Sequence, residues 1–190
     1  MKNGTSVNEC FSECDITVSS EKSFSLGGIV GQKNAGTILN CYSKGKINVE
    51  RTNAESYIGG IAGTASMTNI YGVYRIGDIN SSCSEIVVSG ITRISKNCTL
   101  DGAYYEGNIT VGANSECAAI NAKTYSDCNK ISNIFYFSNL ENAFTEEYSE
   151  ESTAKLSKKI DSDVLYDILE NSVDGINWKK ATEFPKLFWE

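Results

Sequence analysis

The apolar positions of this chain recur with a period close to 31 residues. Aromatic side chains mark the period, because successive members stand 31, 32, 30 and 31 residues apart. The residues four and one before each aromatic are apolar, and Ile or Leu follows five residues after it. The aromatics are Phe11, Tyr42, Tyr74, Tyr104 and Phe135. A fixed period with short strand-like runs is typical of a solenoid or repeat array.

A second apolar series lies between successive aromatics and supports the same period. Its members are isoleucines, and Gly-Gly directly precedes the first two of them. The series is Ile29, Ile61, Ile91 and Ile120. A solenoid requires these four residues to be neighbours in space, so finding them scattered would refute the prediction.

The chain is predicted to turn sharply twice within each repeat. Ile38 and Cys41 are both apolar and three residues apart, a spacing that neither a flat strand nor a long helix explains. The column between them is rich in residues that tolerate positive φ, which indicates a corner. Its members are Glu9, Asn40, Gly72, Gly102 and Asn133, and the next corner is marked by Gly45, Gly77 and Gly107. An ordinary β-sandwich is the alternative.

We therefore predict an all-β fold, a β-solenoid (β-helix) of about five coils, each of about 31 residues. It spans residues 1–142, and a small α+β C-terminal cap spans residues 143–190. The apolar spacing from Thr153 to Leu169 indicates an amphipathic helix, with either a break or a second N-cap at Ser162. We expect this helix and the aromatic segment from Trp178 onward to cover the open end of the last coil.

Composition narrows the range of partners. Hydrophobic residues make up 41% of the chain, which is enough for a core, and the net charge is −7. The charge is uneven, at −1 over residues 1–139 and −6 over residues 140–190. A nearly neutral solenoid with an acidic tail argues against nucleic acid and against anionic membranes. No apolar stretch reaches the length of a membrane-spanning helix, so no membrane insertion is predicted.

Seven cysteines and no histidine bear on redox and metal chemistry. Cys10 and Cys41 share an inward column, where a buried free thiol is the plain interpretation and a disulfide between stacked neighbours is the alternative. Pairs Cys83–Cys98 and Cys117–Cys128 also remain open as disulfides. Because Cys-x-x-Cys and histidine are both missing, the sequence predicts no zinc site.

The repeat resembles the GLUG motif, named for its Gly-Leu/Ile-Val-Gly run. Residues 28–31 (Gly-Ile-Val-Gly) and 40–45 (Asn-Cys-Tyr-Ser-Lys-Gly) match that pattern closely, residues 60–63 match it well, and later copies are weaker. The resemblance covers about residues 5–142. It implies a repeat region of a large bacterial surface, adhesin-like or immunoglobulin A protease-like protein, in which the repeats carry no catalysis. The chain is thus expected to be secreted or on the cell surface, within a longer exported protein.

Few residues could carry catalysis. Without histidine, Ser-His-Asp and Cys-His systems are excluded. Paired carboxylates could still hydrolyse glycosides, so a carbohydrate-active β-helix enzyme is the alternative function. Its candidates are Asp15, Asp78 and Asp101, for which a turn or solvated role is the plainer interpretation. Asp161, Asp163 and Asp167 come closest to a calcium site but fit a surface helix face better, so no metal or cofactor is predicted.

The aromatic column supplies the candidate binding residues. Tyr42, Tyr74 and Tyr104 follow an inward residue directly, so strand alternation points them outward. An exposed stripe of this kind suits sugar or protein contacts, whereas packing under the C-terminal segment is the alternative. The predicted function is a non-enzymatic, adhesin-like binding or stalk segment that contacts a host or neighbouring-cell protein or glycan, with a pure structural spacer as a further alternative.

Overall fold

The computed structural model describes residues 4–51, 55–122, 130–145, 153–173 and 177–190. Within them the chain forms a parallel β-solenoid of about four turns, with a small C-terminal helix and hairpin. Turn one contains β1 (Thr5–Asn8), β2 (Phe11–Glu13), β3 (Ile16–Ser19) and β4 (Ser25–Gly27). Turn two contains β5 (Val30–Lys44), β6 (Ile47–Arg51) and β7 (Tyr57–Gly59).

The later elements repeat this order. Turn three contains β8 (Ala62–Ile76), β9 (Ile79–Ser81) and β10 (Val87–Ser89). Turn four contains β11 (Thr92–Lys96), β12 (Thr99–Glu106), β13 (Ile109–Thr110) and β14 (Glu116–Ala118). The remaining elements are β15 (Lys130–Phe137), β16 (Thr153–Lys155), α1 (Ser162–Glu170), β17 (Trp178–Lys179) and β18 (Lys186–Leu187).

Three parallel sheets form the walls of the solenoid. Sheet A has the order β1-β5-β8-β12-β15-β16, with β2 pairing beside β1 on β5 and β11 pairing beside β12 on β8. Sheet B has the order β3-β6-β9-β13, and sheet C has the order β4-β7-β10-β14. Strand β15, which carries the fifth aromatic, adds a rung to sheet A, but no described strand adds a corresponding rung to sheet B or sheet C. The solenoid therefore has about four complete turns where the sequence predicted about five coils.

The predicted ladders are confirmed. All five aromatics pair in register along sheet A, with Tyr42 opposite Tyr74 and Tyr74 opposite Tyr104. The isoleucine series is also stacked, because the Ile29 amide donates to the Ile61 carbonyl and the Ile61 amide to that of Ile91. The Ile91 amide continues the series to Ile120. Residues about 31 apart in sequence are thus direct neighbours.

Both predicted corners are confirmed as well. The first corner has positive φ in every copy, namely 52° at Glu9, 49° at Asn40, 58° at Gly72, 66° at Gly102 and 54° at Asn133. The second has φ of 107°, 128° and 155° at Gly45, Gly77 and Gly107. At Gly77 a Cβ would also lie 2.2 Å from the Gly45 carbonyl oxygen in the rung beside it. Conformation and close stacking both require glycine there.

The glycine directly before Ile29, Ile61 and Ile91 makes room for an inward side chain of sheet A. The residue after each aromatic points into the solenoid and lies against that glycine in the next sheet. A Cβ at Gly60 would lie 2.6 Å from Cγ of Arg75, and a Cβ at Gly90 would lie 2.6 Å from Cδ1 of Tyr105. These glycines thus face an inward column whose side chains increase in size from Ser43 to Arg75 and Tyr105.

Arg75 is a buried cation within this column. It is 1% exposed, and its guanidinium donates to the Ile76 and Gly45 carbonyls at 2.8 and 2.6 Å. Its Nε has no hydrogen-bond partner in the described residues. Burial lowers the pKa of the guanidinium, since a charge is costly in an apolar interior. Tyr105 occupies the same column one rung later and reaches the Asn108 carbonyl at 3.3 Å with a neutral hydroxyl.

We expect Arg75→Tyr to be as stable as the wild type, or more stable by up to about 2 kcal/mol, because it removes a buried charge and retains a donor. Arg75→Ala should instead lose about 2 kcal/mol, because it leaves a cavity and unsatisfied carbonyls. Guanidinium unfolding followed by circular dichroism measures both. A large loss in Arg75→Tyr would show that the charge itself is needed.

The cysteines in the described residues are free. Cys10 and Cys14 are exposed, Cys41, Cys83 and Cys98 are buried, and Cys117 is intermediate. The proposed Cys10–Cys41 and Cys83–Cys98 disulfides are therefore wrong for this structure. Cys128, and with it the Cys117–Cys128 pair, lies outside the described residues.

Thiol labelling should follow this pattern of burial. Burial raises the pKa of Cys41 to about 12, and only the thiolate reacts with alkylating reagents. At about pH 8 we expect iodoacetamide to modify Cys10 and Cys14 first and Cys41 only after unfolding. Peptide mass mapping against labelling time would show this. Early modification of Cys41 would mean that the first turns open readily.

The C-terminal helix is shorter than predicted. It begins at Ser162, where Asp161 caps it by accepting the Val164 amide at 2.9 Å. The prediction of helix from Thr153 is wrong, because Thr153–Lys155 pairs with β15 as a parallel strand. The open edge of β15 offers backbone partners that a helix would leave unsatisfied.

The C-terminal segment, meaning described residues 156–173 and 177–190, lies along the outer face of sheet A. Helix α1 contacts β8 and β12, Trp178 packs on Tyr42 and Tyr74, and Trp189 reaches Phe11 in the first turn. The prediction of a lid over the open end is therefore wrong for this segment, and β16 alone extends the last rung of sheet A. The stack also continues past residue 142, because Ile120 donates to the Ala143 carbonyl.

Candidate functional site

The predicted binding tyrosines are covered. Tyr42, Tyr74 and Tyr104 are each 0% exposed. The rings of Tyr42 and Tyr74 stack at 4.8 Å, and Trp178 lies 5.6 Å from Tyr74. Alternation correctly pointed these side chains away from the solenoid core, but the C-terminal segment packs directly over them. An exposed binding stripe at these residues is therefore wrong for the folded chain.

The tyrosine hydroxyls bind the covering segment and the rim of the column. Tyr74 donates to the Pro185 carbonyl at 2.7 Å, and the hydroxyl of Tyr42 lies 2.9 Å from Oε1 of Glu190. Tyr104 donates to Glu106 at 3.0 Å. Burial is the main cause that raises the pKa of all three tyrosines. They remain protonated donors, which suits a structural role.

A groove runs along the corner between sheets A and B. It has a volume of about 440 Å³, within the size range of small-molecule sites. We call it the corner groove. Its floor is the glycine column Gly45, Gly77 and Gly107, and its two walls are the columns on either side of those glycines. Lys159 of the C-terminal segment closes one side.

The wall on the sheet A side carries compensated charges. Lys44 pairs with Glu13 at 2.9 Å, and Lys159 forms an ion pair with Glu106. Glu106 is 4% exposed, and it also accepts the hydroxyl of Tyr104. Ile76 lies between these pairs, and Phe137 ends the wall. This wall therefore presents an apolar centre between neutralised charges.

The wall on the sheet B side is a ladder of polar residues. Asp15 Oδ1 accepts the backbone amide of Lys46 at 2.6 Å, one rung away. Asp78 Oδ1 accepts the amide of Asn108 at 2.9 Å in the same geometry. Each aspartate thus holds its rung to the next with one carboxylate oxygen, which supports the turn role. The groove gathers Asp15 and Asp78 but not Asp101, which binds Lys130 and Asn133 instead.

Sequence reasoning missed Lys46, Asn108, Glu106 and Phe137. The signal that could have found the first three is their position, because each stands directly before or after a glycine of the second corner column. Phe137 stands one period after Glu106. Residues on either side of a bare, stacked glycine corner must line a groove. The sequence pattern predicts a bend at that corner and does not predict a groove.

The acidic residues considered for calcium have other roles. Asp161 caps α1, and Asp163 pairs with Lys180 at 2.9 Å. In the described ranges, no three His, Cys, Asp or Glu side chains cluster as metal ligands would. Those ranges also contain no helix that is long and apolar enough to cross a membrane.

No protein-family model, no curated protein and no solved structure matches this chain. The corner groove is therefore a candidate site because of its geometry alone.

Proposed function

We propose that this chain is a non-enzymatic binding and stalk segment of a bacterial surface or secreted protein. Its contact with a host or neighbouring-cell protein or glycan is made through the corner groove. The corner groove is an accessible lateral surface, whereas the tyrosine column is covered. The adhesin-like role is the one that the resemblance to GLUG repeats implies.

The observation that carries this proposal is the bare glycine floor. Gly45, Gly77 and Gly107 leave a side-chain-free channel across successive rungs, while the walls provide charged, polar and apolar groups. Most other surfaces of a solenoid are flat strand faces, which bind by area rather than by shape. A channel along the stack is suited to an elongated ligand, and the stacked turns supply the rigid support that a site needs.

The rigid stack also suits the stalk role. Rungs about 4.8 Å apart are joined by hydrogen bonds in three sheets, and the C-terminal segment connects rungs along the side, from β12 back to Phe11. Such a structure holds its turns in a fixed stack, since each turn is hydrogen-bonded to its neighbours.

The second candidate is a carbohydrate-active enzyme that uses carboxylates of the same groove. Asp15, Asp78 and Glu106 all line it, which is the observation in its favour. Glycoside hydrolysis needs one carboxyl group to donate a proton. All three groups instead accept hydrogen bonds or ion pairs within the stack. We therefore favour binding over turnover.

One experiment separates the candidates. The labelled chain is applied to protein and glycan arrays, and every bound glycan is then incubated with the chain and analysed by mass spectrometry. We expect binding without products. Shortened glycans would establish the enzyme, whereas no binding on either array would leave only the spacer.

A further inference from the structure

We propose that the corner groove binds an uncharged saccharide, with Lys46, Asp78 and Asn108 as hydrogen-bonding residues and Phe137 as the apolar contact. This inference rests on the proposed function and names its ligand class.

Most of the charged groups lining the groove are already engaged in ion pairs or hydrogen bonds. Three carboxylates (Asp15, Asp78 and Glu106) face three lysines (Lys44, Lys46 and Lys159). Lys44 and Lys159 are held in ion pairs, so their attraction for an added anion is weak. Strongly charged ligands gain little from a site whose charges are already paired, because their own desolvation is not repaid. Uncharged polar ligands avoid that loss.

The backbone amides of the floor are not available to an added strand. The amides of Gly45, Gly77 and Gly107 donate to Ile76, Glu106 and Phe137 at 3.2, 2.8 and 3.1 Å. The Gly45 carbonyl accepts Arg75 from inside the solenoid. Peptides that bind as strands take most of their affinity from free main-chain donors and acceptors. Recognition in this groove is therefore expected to use mainly side chains, which disfavours an extended peptide.

The free side-chain groups match a sugar. Asp78 uses Oδ1 for the stack and leaves its second oxygen as an acceptor. Lys46 and Asn108 have exposed side chains on the same wall, one rung before and one rung after Asp78. These groups are spaced about 4.8 Å apart along the wall, so they can form hydrogen bonds with neighbouring hydroxyls of a pyranose ring. The half-buried Phe137 and Ile76 provide apolar surface for the C–H face of the ring.

The test uses the full chain and two matched double variants. Lys46→Ala/Asn108→Ala removes exposed groups of the groove wall, while Lys96→Ala/Thr110→Ala removes one exposed lysine and one exposed polar residue elsewhere. A third variant, Asp78→Asn, retains the Oδ1 acceptor and changes the free oxygen. Each is titrated with neutral oligosaccharides, anionic oligosaccharides and a peptide library, and binding is followed by NMR line broadening.

The proposal expects neutral oligosaccharides to bind the wild type and the control variant alike. Binding should be at least about tenfold weaker (about 1.4 kcal/mol) in Lys46→Ala/Asn108→Ala and in Asp78→Asn. If peptides or anionic sugars bind at the groove instead, the saccharide class is wrong and the proposed binding function stands. If sugar binding survives in the groove variants, the site is wrong. If no ligand binds, both the saccharide inference and the proposed binding role fail.

Discussion

Trp178→Ala is expected to destabilise the whole solenoid by about 3–5 kcal/mol, the usual cost of truncating a buried tryptophan. The side chain is 1% exposed and lies 6.2 and 5.6 Å from the rings of Tyr42 and Tyr74. Its Nε1 donates to Oδ1 of Asn40 at 3.2 Å. Removing the indole leaves a cavity over two stacked tyrosines and frees the corner residue Asn40. Guanidinium unfolding followed by far-ultraviolet circular dichroism measures the loss.

Two variants at the tryptophans separate packing from hydrogen bonding. Trp178→Phe keeps an aromatic ring but loses the donor to Asn40, so a loss of about 1 kcal/mol is expected. Trp189→Ala serves as the control, because Trp189 is 56% exposed and its removal should cost less than about 1 kcal/mol. An unchanged β-sheet unfolding midpoint in Trp178→Ala would mean that the C-terminal segment contributes nothing to the stability of the stack.

Gly102→Ala should destabilise the protein by about 2–4 kcal/mol, for two separable reasons. Gly102 has φ of 66°, and a non-glycine residue in that region costs about 1–2 kcal/mol. An added Cβ would also lie 2.4 Å from Cβ of Ser172 at the end of α1. The clash must push the helix away from sheet A, which adds loss of packing to the backbone strain. The same unfolding measurement applies.

A double variant divides this cost. Gly102→Ala/Ser172→Gly removes the clashing side chain and leaves the strain, so we expect recovery of about half of the loss relative to Ser172→Gly alone. The double-mutant cycle isolates the steric part. Additive effects of the two substitutions would contradict the observed contact between α1 and the first corner.

The covered tyrosines show that strand alternation predicts which way a side chain points but not whether it is exposed to solvent. Alternation along β5 and β8 placed Tyr42 and Tyr74 outside the solenoid core, and that placement is confirmed, because both pack in a separate cluster with the C-terminal segment. Whether an outward residue meets water depends on what else folds over it. The contact between Tyr74 and Pro185 joins residues 111 apart in sequence, and no period relates them. The sequence indicated a terminal cap but not its path.

Periodicity determined the ladders, both corners and the fold class of this protein. In a solenoid, residues one period apart are hydrogen-bonded neighbours, so a repeat in the sequence is itself a list of contacts. The tertiary structure alone decided the course of the C-terminal segment, the start of α1 and the corner groove. Those features depend on contacts between segments that share no period, such as Trp178 with Asn40, 138 residues apart. Only the packing of unrelated surfaces selects such contacts, because local pattern carries no information about which distant partner a side chain meets.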